Sequence, residues 1–214
     1  MNLFFLNSED FIFFTTREFA LASNITIPAS LERLKRLAQK KYLLKLNRGL
    51  WANPHHPFFN PFLAVPYLLG NDQGYVSFLS ALSKEAIISQ IPQVIQVATT
   101  GKSKFLKTPI GNFEFFQLNP SCHKHGITQA SSTTKQTYLI ASPEKALLDL
   151  LYLSTRKGKR FGSLPALDFS ENFNKTIFWK LLTEAVQDSR IRSAIKSKAN
   201  LLFKKSDLGD FYNE

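Results

Sequence analysis

The chain has 214 residues, and its 27 Lys and Arg side chains outnumber its 16 Asp and Glu, for a formal net charge of +11. Hydrophobic residues make up 44% of the chain and aromatic residues 13%, which is enough to build a core and excludes a disordered or low-complexity protein. The basic excess favours a polyanionic partner, with nucleic acid ahead of an anionic membrane surface.

The first predicted element is a short helix that follows a capping motif. Thr15-Thr16-Arg17-Glu18 has the form of a capping box, in which a Thr oxygen accepts a hydrogen bond from the backbone three residues on and the Glu reaches back. The pattern predicts a helix over residues 16–23. Asn24 suits the left-handed conformation that ends a helix.

A second helix is predicted over residues 28–41, because Pro28 fits a first helical turn. Leu31, Leu34 and Ala38 share one face of it. The opposite face carries Ala29, Glu32, Arg33, Arg36 and Lys40. We expect Glu32 to pair with Arg36 one turn on.

Two short strands, 43–46 and 49–52, follow this helix and are joined through the turn signal Asn47-Arg48-Gly49. Helix, turn, cationic helix and hairpin together predict a winged helix-turn-helix over residues 1–54. The stretch 28–48 holds seven basic residues against one acid, Glu32. The basic residues are Arg33, Lys35, Arg36, Lys40, Lys41, Lys45 and Arg48.

Residues 55–73 are rich in proline and aromatic residues and predict a linker that packs against a domain. From residue 74 the chain predicts a C-terminal α+β domain with a small mixed sheet and several helices. Its predicted helices are 77–88, one that starts at Ser142-Pro143-Glu144, 176–187 and 189–203. Its predicted strands are 93–98, 104–107, 113–118 and 137–140.

Several stretches in this order resemble the AbiEi family, the antitoxin and transcriptional-regulator half of abortive-infection (type IV) toxin–antitoxin systems. They are Phe14-Thr15-Thr16-Arg17-Glu18-Phe19-Ala20, Leu46-Asn47-Arg48-Gly49-Leu50-Trp51, Tyr75-Val76-Ser77-Phe78-Leu79-Ser80-Ala81-Leu82 with Ile91-Pro92-Gln93-Val94, and Ala141-Ser142-Pro143-Glu144-Lys145-Ala146-Leu147-Leu148-Asp149-Leu150-Leu151-Tyr152. The last motif is the most specific.

This resemblance implies an N-terminal domain that binds double-stranded DNA and represses its own operon through inverted repeats. It also implies a C-terminal domain that counters a nucleotidyltransferase toxin, without a stable toxin–antitoxin complex. The expected function is therefore a DNA-binding antitoxin and autorepressor.

The predicted DNA contacts lie on both helices and on the hairpin. Arg33 and Arg36 are the candidates for base edges, because a guanidinium can bond bidentately to guanine. Phosphate contacts are expected from Lys40, Lys45 and Arg48, and from Thr16 and Arg17 at the first helix's N-terminus. The full predicted set is Thr16, Arg17, Ala29, Arg33, Arg36, Lys40, Lys45, Asn47 and Arg48.

A second basic surface is expected in the C-terminal domain. Its predicted members are Lys102, Lys104, Lys107, Arg156, Lys157, Lys159 and Arg160. Such a surface would engage RNA, flanking DNA or an acidic toxin surface. The open alternative is that these are dispersed, solvated charges.

The sequence predicts neither catalysis nor a bound metal or cofactor. No nucleophile–base pair is evident, and the spacing in Cys122-His123-Lys124-His125 matches no standard zinc pattern. Glu144, Lys145 and Asp149 are interpreted as helix-end electrostatics. Two alternatives stay open: a stand-alone winged-helix transcription factor whose C-terminal domain senses a ligand or partner, and a nucleic-acid-processing enzyme that docks through the winged helix.

The sequence predicts a cytoplasmic chain without membrane association. Cys122 is the single cysteine, which excludes a disulfide within the chain and fits a reducing compartment. The apolar start of the chain ends after six residues and lacks the basic region of a signal peptide. No apolar run approaches the ~20 residues that span a bilayer.

Overall fold

A computed structural model describes residues 4–131, 135–156, 161, 164–169 and 173–209, and they form a mixed α+β structure. The N-terminal elements follow two 3₁₀ turns, Phe4–Asn7 and Glu9–Phe11. They are β1 (Phe13–Thr15), α1 (Thr16–Ser23), α2 (Ile27–Gln39), β2 (Leu44–Asn47) and β3 (Leu50–Ala52). Among all the described residues of the chain, no helix is long and apolar enough to cross a bilayer.

The three N-terminal strands form a small antiparallel sheet in the order β1-β3-β2. Phe14 lies opposite Trp51, and both face α1 and α2. Neighbouring residues along a strand point to opposite faces, so Phe13, Leu50 and Ala52 face the other way. These three belong to the large core that also fills the C-terminal part of the chain. Both faces of the small sheet are therefore buried.

The proline-rich stretch predicted as a linker forms structure of its own. It contains a 3₁₀ turn, Pro61–Ala64, and a short helix, α3 (Val65–Leu69). Leu63, Val65 and Leu68 are buried in the large core beside Phe13 and Ala52. The stretch therefore connects the two parts of the chain through packed side chains, in line with its predicted packing against a domain.

The C-terminal part is built on a six-stranded mixed sheet in the order β6-β7-β5-β4-β9-β8. The pairs β5–β7 and β4–β9 are parallel, and the other pairs are antiparallel. Its strands are β4 (Gly74–Val76), β5 (Val94–Thr99), β6 (Lys104–Thr108), β7 (Gly111–Gln117), β8 (Ile127–Ser131) and β9 (Thr137–Ala141). The helices are α4 (Phe78–Lys84), α5 (Pro143–Ser154), α6 (Lys175–Ala185) and α7 (Ser189–Gly209), with a 3₁₀ turn at Pro120–His123.

Helix α5 is the centre of this part. Every residue from Glu144 to Ser154 is buried, and α5 packs against α4, α6 and α7. A helix that is enclosed on all sides places its charged residues in the interior as well, so Glu144, Lys145 and Asp149 need partners there.

Most predicted elements are confirmed, with shifts of one to a few residues at their ends. The helix predicted over 77–88 is wrong at its end, since α4 stops at Lys84 and Ala86 adopts a left-handed φ of 57°. Strands β1, β4 and β8 and helix α3 were not predicted. The first two of these strands have three residues each, too few for an alternating pattern to show.

Candidate nucleic-acid interface

The two N-terminal helices are fixed by hydrogen bonds at their ends. The predicted capping box is confirmed: the Glu18 amide donates to Thr15 Oγ1 at 3.2 Å, and the Thr15 amide donates to Glu18 Oε2 at 2.6 Å. Asn24 ends α1 in the left-handed conformation, as predicted. Thr26 caps α2 by accepting from the Ala29 amide, a cap that the prediction missed.

Thr16 has a structural role that differs from the predicted phosphate contact. Its side chain is 8% exposed, and its Oγ1 accepts a hydrogen bond from Trp51 Nε1 at 2.9 Å. Its backbone N–H donates to the Gly49 carbonyl at 2.9 Å. Because the amide and the hydroxyl are both used within the molecule, the proposed contact of Thr16 with DNA is not supported. Thr16 instead ties the start of α1 to the β2–β3 hairpin.

The remaining predicted contacts lie at the surface of α1, α2 and the hairpin. The exposed residues are Arg17, Ala29, Arg36, Lys40, Lys45, Asn47 and Arg48, while Arg33 is half-buried. Within the described part of the chain, no ion pair holds Arg17, Arg36, Lys40 or Arg48. Their charges are thus available to an anionic partner.

Glu32 pairs with Lys35, so the predicted Glu32–Arg36 pair is wrong. Lys35 Nζ lies 2.7 Å from Glu32 Oε1, and this contact lowers the pKa of Glu32 below its usual value. Lys35 pairs with Glu32 one turn earlier on the helix, and this ion pair neutralises the one acid of the exposed face. Arg36, one turn on, makes no ion pair with Glu32, although its charge also helps to lower the pKa of Glu32.

The β2–β3 hairpin carries two exposed cations, Lys45 and Arg48. Gly49 has φ +82° at the turn, a conformation that a residue with a Cβ adopts only with strain. The turn that Gly49 makes leaves its neighbour Arg48 exposed at the tip of the hairpin. Lys45 extends over the Trp51 ring, 6.0 Å from its centre. The ring that Thr16 fixes therefore also supports Lys45.

Four of the seven residues of the second predicted basic surface, Lys102, Lys104, Lys107 and Arg156, lie among the described residues. Arg156 donates to the Gln117 carbonyl at 3.5 Å, and the Gln117 amide donates to Ser103 Oγ at 2.9 Å, next to Lys102 in the sequence. Lys107 is near the other end of β6. Lys157, Lys159 and Arg160 lie outside the described residues.

Several C-terminal cations have internal partners. Lys104 Nζ donates to the Leu68 carbonyl at 3.1 Å and lies 4.7 Å from the centre of the Phe115 ring. Arg192 donates to the Val186 carbonyl just after α6, and Lys198 donates to the Ser154 carbonyl at the end of α5. Cations at helix C-termini stabilise the last carbonyls. The C-terminal basic excess is thus partly structural.

The family-like motif on α5 supplies a buried polar network. Lys145 Nζ pairs with Asp149 Oδ1 and donates to Tyr75 Oη at 2.7 Å, and all three side chains are at most 1% exposed. Asp149 Oδ2 accepts from Tyr75 Oη at 2.9 Å and from Ser77 Oγ at 2.8 Å. Burial and the adjacent Asp149 raise the pKa of Tyr75 well above its ordinary value. The earlier interpretation as helix-end electrostatics is wrong for this pair.

Glu144 also acts inside the fold. Its Oε2 accepts from Ser142 Oγ at 2.8 Å, and its Oε1 accepts from the Asn174 amide at 2.8 Å. Asn174 is the N-cap of α6. The carboxylate therefore joins the start of α5 to the start of α6. The residues of this motif hold helices and strands together.

A cleft of about 690 Å³ lies between α3 and the β8–β9 hairpin. Its polar lining includes Asp72, Gln73, His123, Gln129 and Thr137. Burial lowers the pKa of His123, and its Nε2 has no hydrogen-bond partner among the described residues. In the same described part, no group of three or more His, Cys, Asp or Glu side chains is placed to hold a metal ion.

No protein-family model and no curated protein sequence matches this chain. The class that the described structure itself defines is a mixed α+β protein with an exposed cationic helix and hairpin at its N-terminal end.

The buried network predicts an asymmetric response to substitution. Lys145→Met leaves the Asp149 carboxylate buried without its cation, and we expect a loss of about 3–5 kcal/mol of unfolding free energy. Lys145→Met combined with Asp149→Leu removes both charges, so we expect the double variant to be more stable than the single one. Urea denaturation followed by circular dichroism measures both.

Lys196→Met, at an exposed position of α7, is the matched control and is expected to change stability little. A double variant that is less stable than Lys145→Met would contradict this assignment of the network.

Proposed function

We propose that residues 13–52 form a winged helix-turn-helix that binds double-stranded DNA. The observation that carries the proposal is the shared exposure of Arg36 on α2 and of Lys40 at its C-cap, together with Lys45 and Arg48 on the hairpin that follows. The order of elements, a strand, two helices and a hairpin that pairs with the strand, is the one this class of domain uses. An exposed cationic helix next to a cationic hairpin provides both a reading element and flanking phosphate contacts.

In this arrangement α2 enters the major groove as the recognition helix. Arg36, unpaired and exposed, is the first candidate for a bidentate contact to guanine, with Arg33 beside it. Lys40, Lys45 and Arg48 contact phosphates, and Arg17 adds a contact at the start of α1. Ala29 and Asn47 are also exposed.

We further propose that the chain is an antitoxin and autorepressor that counteracts a nucleotidyltransferase toxin and has no catalytic activity of its own. The support for this half is the resemblance of the four motifs to the AbiEi family. The Tyr75–Ser77 stretch and the α5 motif lie far apart in the sequence, yet they meet in the buried network around Asp149. The two motifs therefore meet in one structural unit of the C-terminal part.

DNA binding is expected to depend on specific cations. Arg36→Ala should weaken binding to the DNA upstream of the chain's own gene by about 1–3 kcal/mol and relax the preference at one base pair. Lys45→Ala should weaken binding to all DNA sequences alike. It should also reduce the slope of log affinity against log salt concentration by about one, because one phosphate contact is lost. Fluorescence anisotropy over a range of salt concentrations measures both effects.

Lys196→Ala removes an equal charge from the exposed surface of α7, and it serves as the matched control because it should leave affinity almost unchanged. If the wild-type chain and an Arg33→Ala, Arg36→Ala double variant bind this DNA with equal affinity, the proposal that α2 is the recognition helix is wrong.

The antitoxin role is tested by growth rescue. Co-expression of the wild-type chain with the product of the neighbouring gene should restore growth that this product alone arrests. The Arg36→Ala variant should still rescue when both genes are driven from foreign promoters, because repression is then bypassed. A wild-type chain that fails to restore growth would refute the antitoxin half and leave the DNA-binding half standing.

A second candidate function is a transcription factor whose C-terminal part senses a small molecule. The observation that favours it is the cleft beside α3, with a buried, unpartnered His123 Nε2 among the described contacts. A neighbouring gene whose product is not toxic would favour this candidate over the antitoxin.

A further inference from the structure

Strand β1 has one edge that its own sheet leaves without partners. Carbonyl and amide groups alternate in direction along a strand, and the Ile12 carbonyl and the Thr16 amide both bond toward the β3 side, to Asn53 and Gly49. The N–H and C=O of Phe13 therefore point the opposite way, to the outer edge. Phe13 is fully buried, so an unpaired amide or carbonyl there would be costly.

The side-chain amide of Gln136 fills this position. Gln136 Oε1 accepts from the Phe13 amide at 3.2 Å, and Gln136 Nε2 donates to the Phe13 carbonyl at 2.7 Å. The same nitrogen donates to the Asp10 carbonyl at 3.1 Å. A carboxamide has the donor and acceptor of a peptide group, so Gln136 extends the small sheet by one unit.

Gln136 immediately precedes β9 of the large sheet, so this contact joins the two sheets directly. Two neighbours reinforce it. Tyr67 Oη from α3 donates to the Phe13 carbonyl at 3.0 Å, and Lys135 Nζ lies 2.6 Å from Asp10 Oδ2. Burial raises the pKa of Tyr67 to about 12, so its hydroxyl stays a donor over the physiological range.

Two residues further along the chain, β1 passes into α1. Thr15 caps α1, and Thr16 holds Trp51 of the hairpin. The orientation of β1 is therefore passed to both helices and to the hairpin through covalent connection and hydrogen bonds.

We propose that Gln136 is a positioning residue for DNA binding, which fixes the orientation of the N-terminal helices and hairpin relative to the large sheet. This inference rests on the proposed DNA binding. A duplex docked on α2 then meets the rest of the molecule in one pose, and loss of that pose lowers the fraction of molecules competent to bind.

Two measurements on Gln136→Ala test the proposal. The first uses spin labels at Ala22 of α1 and Thr128 of β8, both exposed, in a Cys122→Ser background. We expect one narrow distance distribution in the unsubstituted chain and a broader or shifted one in the variant, with faster hydrogen exchange at the Phe13 amide. The second measurement is affinity for the upstream duplex, expected to fall about tenfold as the competent fraction falls.

Two controls separate positioning from a general loss of stability. Gln187→Ala removes an exposed glutamine just after α6, whose Nε2 donates to the Glu184 carbonyl. Ile195→Val weakens the core at α7 without removing any of the hydrogen bonds to β1. We expect both control variants to show the same spin-label distance distribution and the same affinity for the duplex as the unsubstituted chain.

An unchanged distance distribution in Gln136→Ala would overturn the proposal, as would an affinity loss no larger than that of Ile195→Val at an equal drop in melting temperature. If the unsubstituted chain binds no duplex, the proposed function fails at that step. The spin-label distances still report the orienting role of Gln136 in that case.

Discussion

The pairing of β1 with β3 is the constraint on which the rest of the structure depends. The pair places Phe14 and Trp51 on one face, where they pack against α1 and α2. It places Phe13 and Ala52 on the other face, within the core shared with the large sheet. A sheet with two buried faces belongs to two cores at once, so the cationic helix and hairpin are built on the same scaffold as the C-terminal part. Movement between the two parts would expose apolar surface, which is unfavourable.

The same scaffold separates structural cations from available ones. Three cations of the C-terminal part donate to backbone carbonyls: Lys104, Arg192 and Lys198. Lys145 is paired with Asp149 in the interior. Among the described contacts, Arg36, Lys40 and Arg48 have no carboxylate or backbone carbonyl within reach of their side chains, although Lys35 of α2 pairs with Glu32. The net charge of +11 therefore overstates the positive charge that the C-terminal part offers to a partner, whereas Arg36 and the hairpin cations Lys45 and Arg48 stay exposed. This contrast is the physical basis for proposing that a DNA interface lies at the N-terminal end.

Local chemistry explains how much could be predicted from the sequence. The capping box, Asn24 and the apolar face of α2 depend on residues within one or two helical turns, and these predictions are confirmed. Long-range pairing explains what was missed. Thr16 pairs with Trp51, and Phe13 pairs with Gln136, which lies far along the chain. The Thr16 hydroxyl that the sequence offered for a phosphate contact is therefore engaged inside the fold. Lys145 and Asp149 lie one turn apart, but only their burial shows that they form a network with Tyr75 and Ser77.

The most direct test of this account is calorimetric unfolding of the full chain with and without the duplex from upstream of its gene. One shared scaffold predicts one cooperative transition, with calorimetric and van't Hoff enthalpies that agree. Saturating duplex should move that whole transition upward, by a stabilisation of about 2.7 kcal/mol at a hundredfold excess over the dissociation constant. Two resolved transitions, only one of which moves with the duplex, would contradict the account, and so would a transition that the duplex leaves in place.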